Sequence, residues 1–358
     1  MLIDELLEIV RERKASDLHI STGLPPVIRV DGELTRIDMP PLTSDDVESL
    51  IFPMLNNEQR RTLEQYWELD LSYGVYGLGR FRVNIYKDRG NYAGAFRSIN
   101  SEAPSFEQLG LPEIVREITD KPRGLILVTG PTGSGKSTTL ATMIDHINAN
   151  RAEHILTIED PVEFVHMSKK SIVHQRELGQ DTRSFSNALK SALREDPDII
   201  LVGELRDLET ISLAITAAET GHLVMGTLHT SSAAQTVDRM IDVFPQGQQQ
   251  QIRIMLSNSL TAVFSQTLLP KLSDDGITKQ GRVMAQEILI VNSAVANLIR
   301  EGKTAQLYSV MQTGASYGMQ TIEMALKDLY LSKKITMEDA LMKTSRPEEF
   351  KRLVGLFN

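Results

Sequence analysis

The sequence predicts an α/β fold: a small α+β domain, then a largely parallel sheet carrying a phosphate-binding loop, then a helical C-terminal extension. Three observations predict it. Short apolar runs such as Leu125-Ile126-Leu127-Val128 and Ile199-Ile200-Leu201-Val202 alternate with amphipathic helical patterns from Ile114 onward, as a parallel sheet requires. Gly130-Pro131-Thr132-Gly133-Ser134-Gly135-Lys136-Ser137 matches G-x-x-x-x-G-K-[ST] between a strand pattern and a helix pattern. Residues 1–99 have a strand-and-turn pattern of their own, followed by a stretch with Ser101, Pro104, Gly110 and Pro112 that reads as a linker. The expected organisation is therefore an N-terminal domain over 1–99, a linker over 100–112 and a phosphate-loop domain with a helical C-terminal part over 113–358.

Taken in order, Leu2, Leu6, Ile9 and Val10 fall at helical spacing, and residues 17–21 alternate as a strand. Asp31-Gly32, between apolar runs at 27–30 and 34–37, signals a two-residue hairpin. A helix is expected over 44–55, then strands over 69–75, 80–86 and 92–99, with Gly77, Gly79 and Gly90 in the turns. In the second domain, strands are expected at 124–129, 154–158 and 198–202. Helices follow the glycine-rich loop, carry Phe185, Ala188, Leu189, Ala192 and Leu193 on one face, and run from Asp207 to a stop at Gly221. The last third reads as mainly helical, with capping boxes at Thr336 with Asp339 and at Ser345 with Glu348.

Composition narrows the function. The 358 residues are 41% hydrophobic and 24% charged, which is ordinary for a globular chain. A net charge of -9 argues against a nucleic-acid partner. With no cysteine, disulfides and cysteine-ligated zinc are excluded. No run approaches the ~18 apolar residues of a membrane helix, and the first residues have no basic segment of a signal peptide. The expectation is a cytoplasmic protein whose membrane association comes through partners.

The chemistry is concentrated in four segments. In the glycine-rich loop the glycines turn backbone N–H groups toward phosphates, Lys136 reaches the β- and γ-phosphates, and Ser137 offers a hydroxyl to Mg²⁺; Thr138 continues into a helix whose N-terminus favours the anion. ATP is the expected nucleotide. Residues 199–203 form an apolar strand ending at Glu204, a candidate Mg²⁺ ligand or water-orienting carboxylate, expected to end beside the loop. Glu159, Asp160 and Glu163 crowd after another core strand, a crowding that a Mg-nucleotide relieves; Glu163 is a candidate base. A short strand carries His222 and His229 near its two ends; their spacing puts them on opposite faces, and one is a candidate γ-phosphate sensor. Arg80 and Arg82 share one strand face opposite Phe81, Val83 and Ile85, with Arg97 on the next strand, an arrangement suited to phosphate as well as to plain surface charge.

The four segments in this order resemble the Walker A, Asp box, Walker B and His box of the type II and type IV secretion ATPases, including the Gly203-Glu204 ending and Arg194-Glu195-Asp196-Pro197-Asp198 before it. Within that superfamily the chain resembles PilT-type pilus retraction ATPases. It starts directly with the small domain and Ala15-Ser16-Asp17-Leu18-His19-Ile20. It lacks cysteines over 268–292, where extension and secretion relatives usually carry a zinc element. It also has Ala294-Val295-Ala296-Asn297-Leu298-Ile299-Arg300-Glu301, similar to a retraction motif. The resemblance implies a PAS-like N-terminal domain joined to a RecA-like domain, a homohexameric ring, and ATP reached by Arg82 and Arg97. It also implies an inner-membrane platform protein as partner, with a paralogous retraction ATPase as a further one. The motif helix is expected to turn Leu298 and Ile299 toward a partner. Alternative readings are an accessory retraction paralogue, a nucleotide-gated switch without turnover and a nucleic-acid translocase; the pair Glu163 and Glu204 speaks against the switch, and the acidic charge against the translocase.

Overall fold

The computed structural model describes every residue except Met1, Asp31, Tyr76, Gly77, Asn100, Ser101, Asp274, Asp275, Ile277, Phe357 and Asn358. The chain divides into two compact units, residues 1–102 with 163–165, and residues 103–162 with 166–358.

The first unit is built on six strands: β1 (Asp17–Ser21), β2 (Val27–Val30), β3 (Glu33–Arg36), β4 (Glu68–Val75), β5 (Gly79–Asp88) and β6 (Asn91–Ile99). They pair antiparallel in the order β3-β2-β1-β6-β5-β4. Alternation along β5 puts Phe81, Val83 and Ile85 in the core and leaves Arg82 exposed. Leu6, Leu7 and Val10 of helix Ile3–Glu12 and Val47, Leu50 and Ile51 of helix Ser44–Ile51 close that core. The second helix is shorter than the expected 44–55. Phe52–Met54 forms a 3-10 turn, because Pro53 has no N–H to continue an α-helix. Of the expected β2–β3 turn, Asp31 lies outside the described residues; Gly32 has φ +89° and Val30 pairs with Glu33. The expected turn residue Gly77 and the linker residues at 100 and 101 also lie outside them.

The second unit holds β7 (Gly124–Thr129), β8 (His154–Glu159), β9 (Ile172–Glu177), β10 (Ile199–Val202), β11 (Leu223–Leu228), β12 (Leu260–Leu272) and β13 (Lys279–Ile290). Their order is β13-β12-β7-β11-β10-β8-β9, parallel throughout except for β13. Strands β7, β10 and β11 are buried along their whole length, as apolar strands covered by helices on both faces must be. This is a RecA-like core.

The long β12–β13 hairpin departs from the helical reading of the last third. Helix Gln246–Ser259 runs into β12 with no intervening glycine or proline, so the sequence carries no boundary signal there. Beyond β13 the chain is helical. Leu326, Ile335, Ala340 and Phe350 pack over Leu269 of β12 and Ala285 of β13. Thr336 caps its helix as expected, accepting from the Asp339 N–H at 3.1 Å. Ser345 does not: helix Pro347–Leu353 has Arg346 at its N-cap and no side-chain cap.

Candidate nucleotide site

Strand β7 delivers the glycine-rich loop at the carboxyl edge of the sheet. Gly130, Gly133 and Gly135 have φ of +140°, +77° and +87°, a region other residues enter only with strain. At Gly130 space also decides: a Cβ would lie 2.2 Å from the backbone oxygen of Gln266. Helix Lys136–Asn150 starts directly after the loop, and its N-cap, Gly135, offers no side chain to the first N–H groups. Helices Ser44–Ile51, Leu208–Glu219 and Ala233–Asp242 are capped by Thr43, Asp207 and Ser232. The N–H groups and dipole of such an N-terminus suit an anion. Within the loop, the Lys136 ammonium donates to the carbonyls of Gly130 at 2.8 Å and Pro131 at 3.2 Å. Ser134 is buried and its hydroxyl has no hydrogen-bond partner among the described residues. A loop of this shape fits the phosphates of a nucleotide.

Three neighbouring strands bring further groups to the same edge. His229 directly follows strand β11, Glu204 follows β10 after Gly203, and β8 ends at Glu159 with Asp160 next. The strand carrying Glu204 is expected to end beside the loop at the carboxyl edge; it lies in the same sheet, with β11 between β10 and β7. Two strand spacings, roughly 10 Å, therefore separate the strands that carry Glu204 and the loop. Gly203 stands where an aspartate is usual because a Cβ there would meet the Ile158 oxygen and the Glu159 Cα, each at 3.2 Å. Its carbonyl accepts from the Thr227 hydroxyl of β11, which ties the two strand ends together.

Glu204 is partly buried, 2.6 Å from the Arg206 guanidinium and 3.3 Å from the His229 ring Nε2. Burial pushes its pKa up, but the Arg206 hydrogen bond and charge, helped by His229, outweigh this and hold it below the ordinary carboxylate value. Glu159 accepts from the Thr157 hydroxyl at 2.7 Å and from the Gln175 amide at 3.2 Å. Asp160 is exposed and adds to the negative field on Arg206.

Residues Gly130 to Thr138, Glu159, Asp160, Glu204 and His229 are thus brought to one edge of the sheet. His222 is not. It precedes β11, whose first residue Leu223 pairs with Gly124 at the start of β7, so it lies at the opposite, amino edge. There its Nδ1 is 2.9 Å from the carbonyl of Ala217, a local helix-end contact. Glu163 is exposed and falls in the first unit. Arg82 and Arg97 also belong to the first unit, where they are direct cross-strand partners on β5 and β6. Arg97 donates through Nε to Asp17 at 2.8 Å. The motif helix Ser293–Arg300 corrects part of a further expectation: Ile299 is buried in the core, whereas Leu298 packs against that core and keeps part of its surface exposed. Ser293, Ala294, Asn297 and Arg300 are the exposed positions of that helix.

The sequence reading missed Arg206 and the polar residues Ser265 and Gln266 of β12. The signal was available for the latter: Ser265-Gln266-Thr267 interrupts an apolar strand, and buried polar groups need partners. Ser265 meets the Thr129 hydroxyl at 2.6 Å, and Gln266 bonds to the loop itself.

The match to known proteins agrees with this geometry. Residues 95–339 match the family model "Type II/IV secretion system protein". The chain is 55% identical over 350 residues to the Pseudomonas aeruginosa type IV pilus retraction ATPase PilT, covering 98% of this chain and all of that one. It is 38% identical to the type IV pilus ATPase PilU of the same organism, over 99% of this chain and 92% of that one. A crystal structure of the pilus retraction motor PilT with bound ADP superposes with a TM-score of 0.88 at 50% identity, over 98% of this chain and 99% of that one.

Proposed function

The chain belongs to the type II/IV secretion system protein family, as one of its PilT-type pilus retraction ATPases, and on that premise we propose how its site drives retraction. It is a P-loop enzyme that hydrolyses ATP to ADP and phosphate, and a motor of type IV pilus retraction and twitching motility. The observation that carries the reading is the glycine-built loop leading into helix Lys136–Asn150, at the same sheet edge as Glu204 and His229.

ATP enters with its phosphates on the N–H groups of residues 132–138, and Lys136 exchanges the loop carbonyls of Gly130 and Pro131 for phosphate oxygens. Ser137 and Glu204 would hold Mg²⁺ together with the phosphates, since this ion commonly takes only one or two protein ligands, and the ion would supply positive charge against the phosphates. Glu204, kept ionised by Arg206, or Glu163 takes the proton of the attacking water. Glu159 and Asp160 orient the nucleotide, and His229 reports the γ-phosphate to the Glu204 loop. Arg82 and Arg97 supply the guanidinium forks that meet charge developing on the transferred phosphoryl group.

The motor is an oligomer working with membrane-associated pilus components. More specifically, we assign it to a homohexameric ring at the cytoplasmic face of the inner membrane, where it turns a platform protein and shares work with a paralogue. Among the described residues no helix is long and apolar enough to cross a membrane, so attachment through partners fits. The higher identity to PilT than to PilU favours the main motor over the accessory one. Deleting the gene tests this assignment: cells that keep or gain surface pili and stop twitching support retraction, whereas loss of all pili points to extension.

A further inference from the structure

Gln266 sits on β12, the strand beside β7, and is 3% exposed. A buried amide is costly unless its donors and acceptor are used. Its Nε2 donates to the carbonyl of Ser134 in the glycine-rich loop at 2.9 Å. Its Oε1 accepts from the hydroxyl of Thr139, in the first turn of the following helix, at 3.1 Å. Its backbone oxygen occupies the space a Cβ at Gly130 would need. One residue therefore touches the loop at its start, its middle and its helix. The bonds continue outward: Gln286, directly across on β13, donates to Gln266 Oε1 at 3.2 Å. Gln320, just before the C-terminal helix Ile322–Leu331, donates to the Gln286 carbonyl at 2.8 Å.

We propose that Gln266 is a positioning residue for the phosphate loop, and that Gln286 and Gln320 tie the loop's position to the C-terminal helices. The proposal rests on the reading of this loop as the nucleotide site. When Nε2 fixes the Ser134 carbonyl, the loop's N–H groups stay turned toward the phosphates. Without that bond, the carbonyl loses its buried donor and the loop can flip a peptide into the site, so nucleotide affinity falls before chemistry does. An apolar strand residue would pack as well but would leave both Ser134 O and Thr139 Oγ1 unpaired.

The test uses the full-length oligomer and three variants, Gln266→Glu, Gln266→Met and Lys136→Ala, with ATP turnover and binding of a fluorescent ADP measured from pH 5.5 to 8.5. An ionised glutamate at 266 offers only acceptors and repels the Ser134 carbonyl, whereas a protonated one regains an O–H donor. Gln266→Glu should raise the KM for ATP about tenfold or more at pH 8, and approach the wild type as pH falls. Each value is taken relative to the wild type at the same pH, which removes the titration of the neighbouring Glu287 and of other groups common to both proteins. Gln266→Met, which keeps the length and loses all the side-chain hydrogen bonds, should raise KM at every pH with a smaller change in kcat. Gln266→Met with unchanged KM overturns the proposal, whatever its melting temperature. So does a Gln266→Glu defect that is not relieved at low pH, provided that variant is folded at pH 8. Lys136→Ala separates the two levels: if it binds and turns over ATP normally, the loop assignment itself has failed.

Discussion

The Arg206 guanidinium lies 2.6 Å from the carboxylate of Glu204, two residues away in the same loop, and so holds the Glu204 side chain ionised at the edge where the nucleotide phosphates belong. A carboxylate that must accept a proton from water is useful only while ionised, and this contact, by lowering the pKa, extends that condition to lower pH.

Removing the Glu204 charge should stop chemistry and spare binding. Glu204→Gln is expected to hold nucleotide with an affinity near the wild type and to lose turnover by about 10²–10⁴-fold. Phosphate-release assays beside fluorescent-nucleotide titration check both. Normal turnover would move the base role to Glu163. The pH dependence follows from the direction of the shift: the Glu204 pKa is lowered, so its ionised form persists until pH falls below the ordinary carboxylate range. In Arg206→Ala burial is left less opposed, the pKa rises, and the acid limb of activity should move to higher pH.

Arg82 and Arg97 face each other across β5 and β6, and Arg97 is aimed by Asp17. An arginine that meets charge on a transferred phosphoryl group is worth about 10³–10⁵ in rate. Arg82→Lys and Arg97→Lys should each cut kcat severely and change nucleotide affinity much less, because lysine lacks the planar fork. Asp17→Ala should lower kcat by a smaller factor, since it removes only the partner that orients Arg97. Steady-state kinetics with the folded state checked by circular dichroism reads this; three variants with wild-type kcat would assign these arginines to plain surface charge.

The motif helix separates packing from partner contact. Ile299 is wholly buried, so Ile299→Asn should destabilise the second unit by about 2–5 kcal/mol and remove ATPase activity and retraction together. Ala294 and Asn297 are exposed. Ala294→Glu combined with Asn297→Glu should leave ATPase activity within about twofold, as surface changes usually do, and abolish fibre retraction. Equal retention of both activities would remove this face from the partner interface.

Glu287 makes the stability of the fold depend on pH. Burial pushes its carboxyl up from 4.5 to about 7, against the opposing hydrogen bond from the Ala233 N–H at 2.7 Å. The folded chain then keeps a proton that the unfolded chain releases, so this stability is fully present below pH 4.5 and is lost as pH rises through about 7. The full loss is roughly 3 kcal/mol. Melting temperatures should fall between pH 5 and 8 in the wild type and fall less in Glu287→Gln; equal slopes would contradict the assignment.

Much of this was legible in the chain because local chemistry and fold agree. The Gly130-to-Ser137 pattern placed the loop, and the runs at 124–129 and 199–202 gave β7 and β10, since fully buried strands are written in uninterrupted apolar residues. Alternation around Arg82 gave the face of β5. What escaped was set by tertiary context. Helix Asn57–Tyr66 buries only Leu63 and so has no apolar stripe to read. Strand β12 follows a helix without a breaker. The insertion of β11 between β10 and β7 depends on the order of strands in space, which spacing along the chain does not encode. The distance of His222 from the loop follows from that same topology. Arg206 and Gln266 act through partners that only the folded chain supplies.

The central claim, that ATP turnover at this loop drives pilus retraction, is tested most directly in cells whose sole copy carries Lys136→Ala, by imaging labelled pili while assaying the purified variant. The account predicts a folded protein with ATP hydrolysis reduced at least about 10²-fold, pili that extend and accumulate, and no retraction events. Retraction at the wild-type rate in those cells would contradict it.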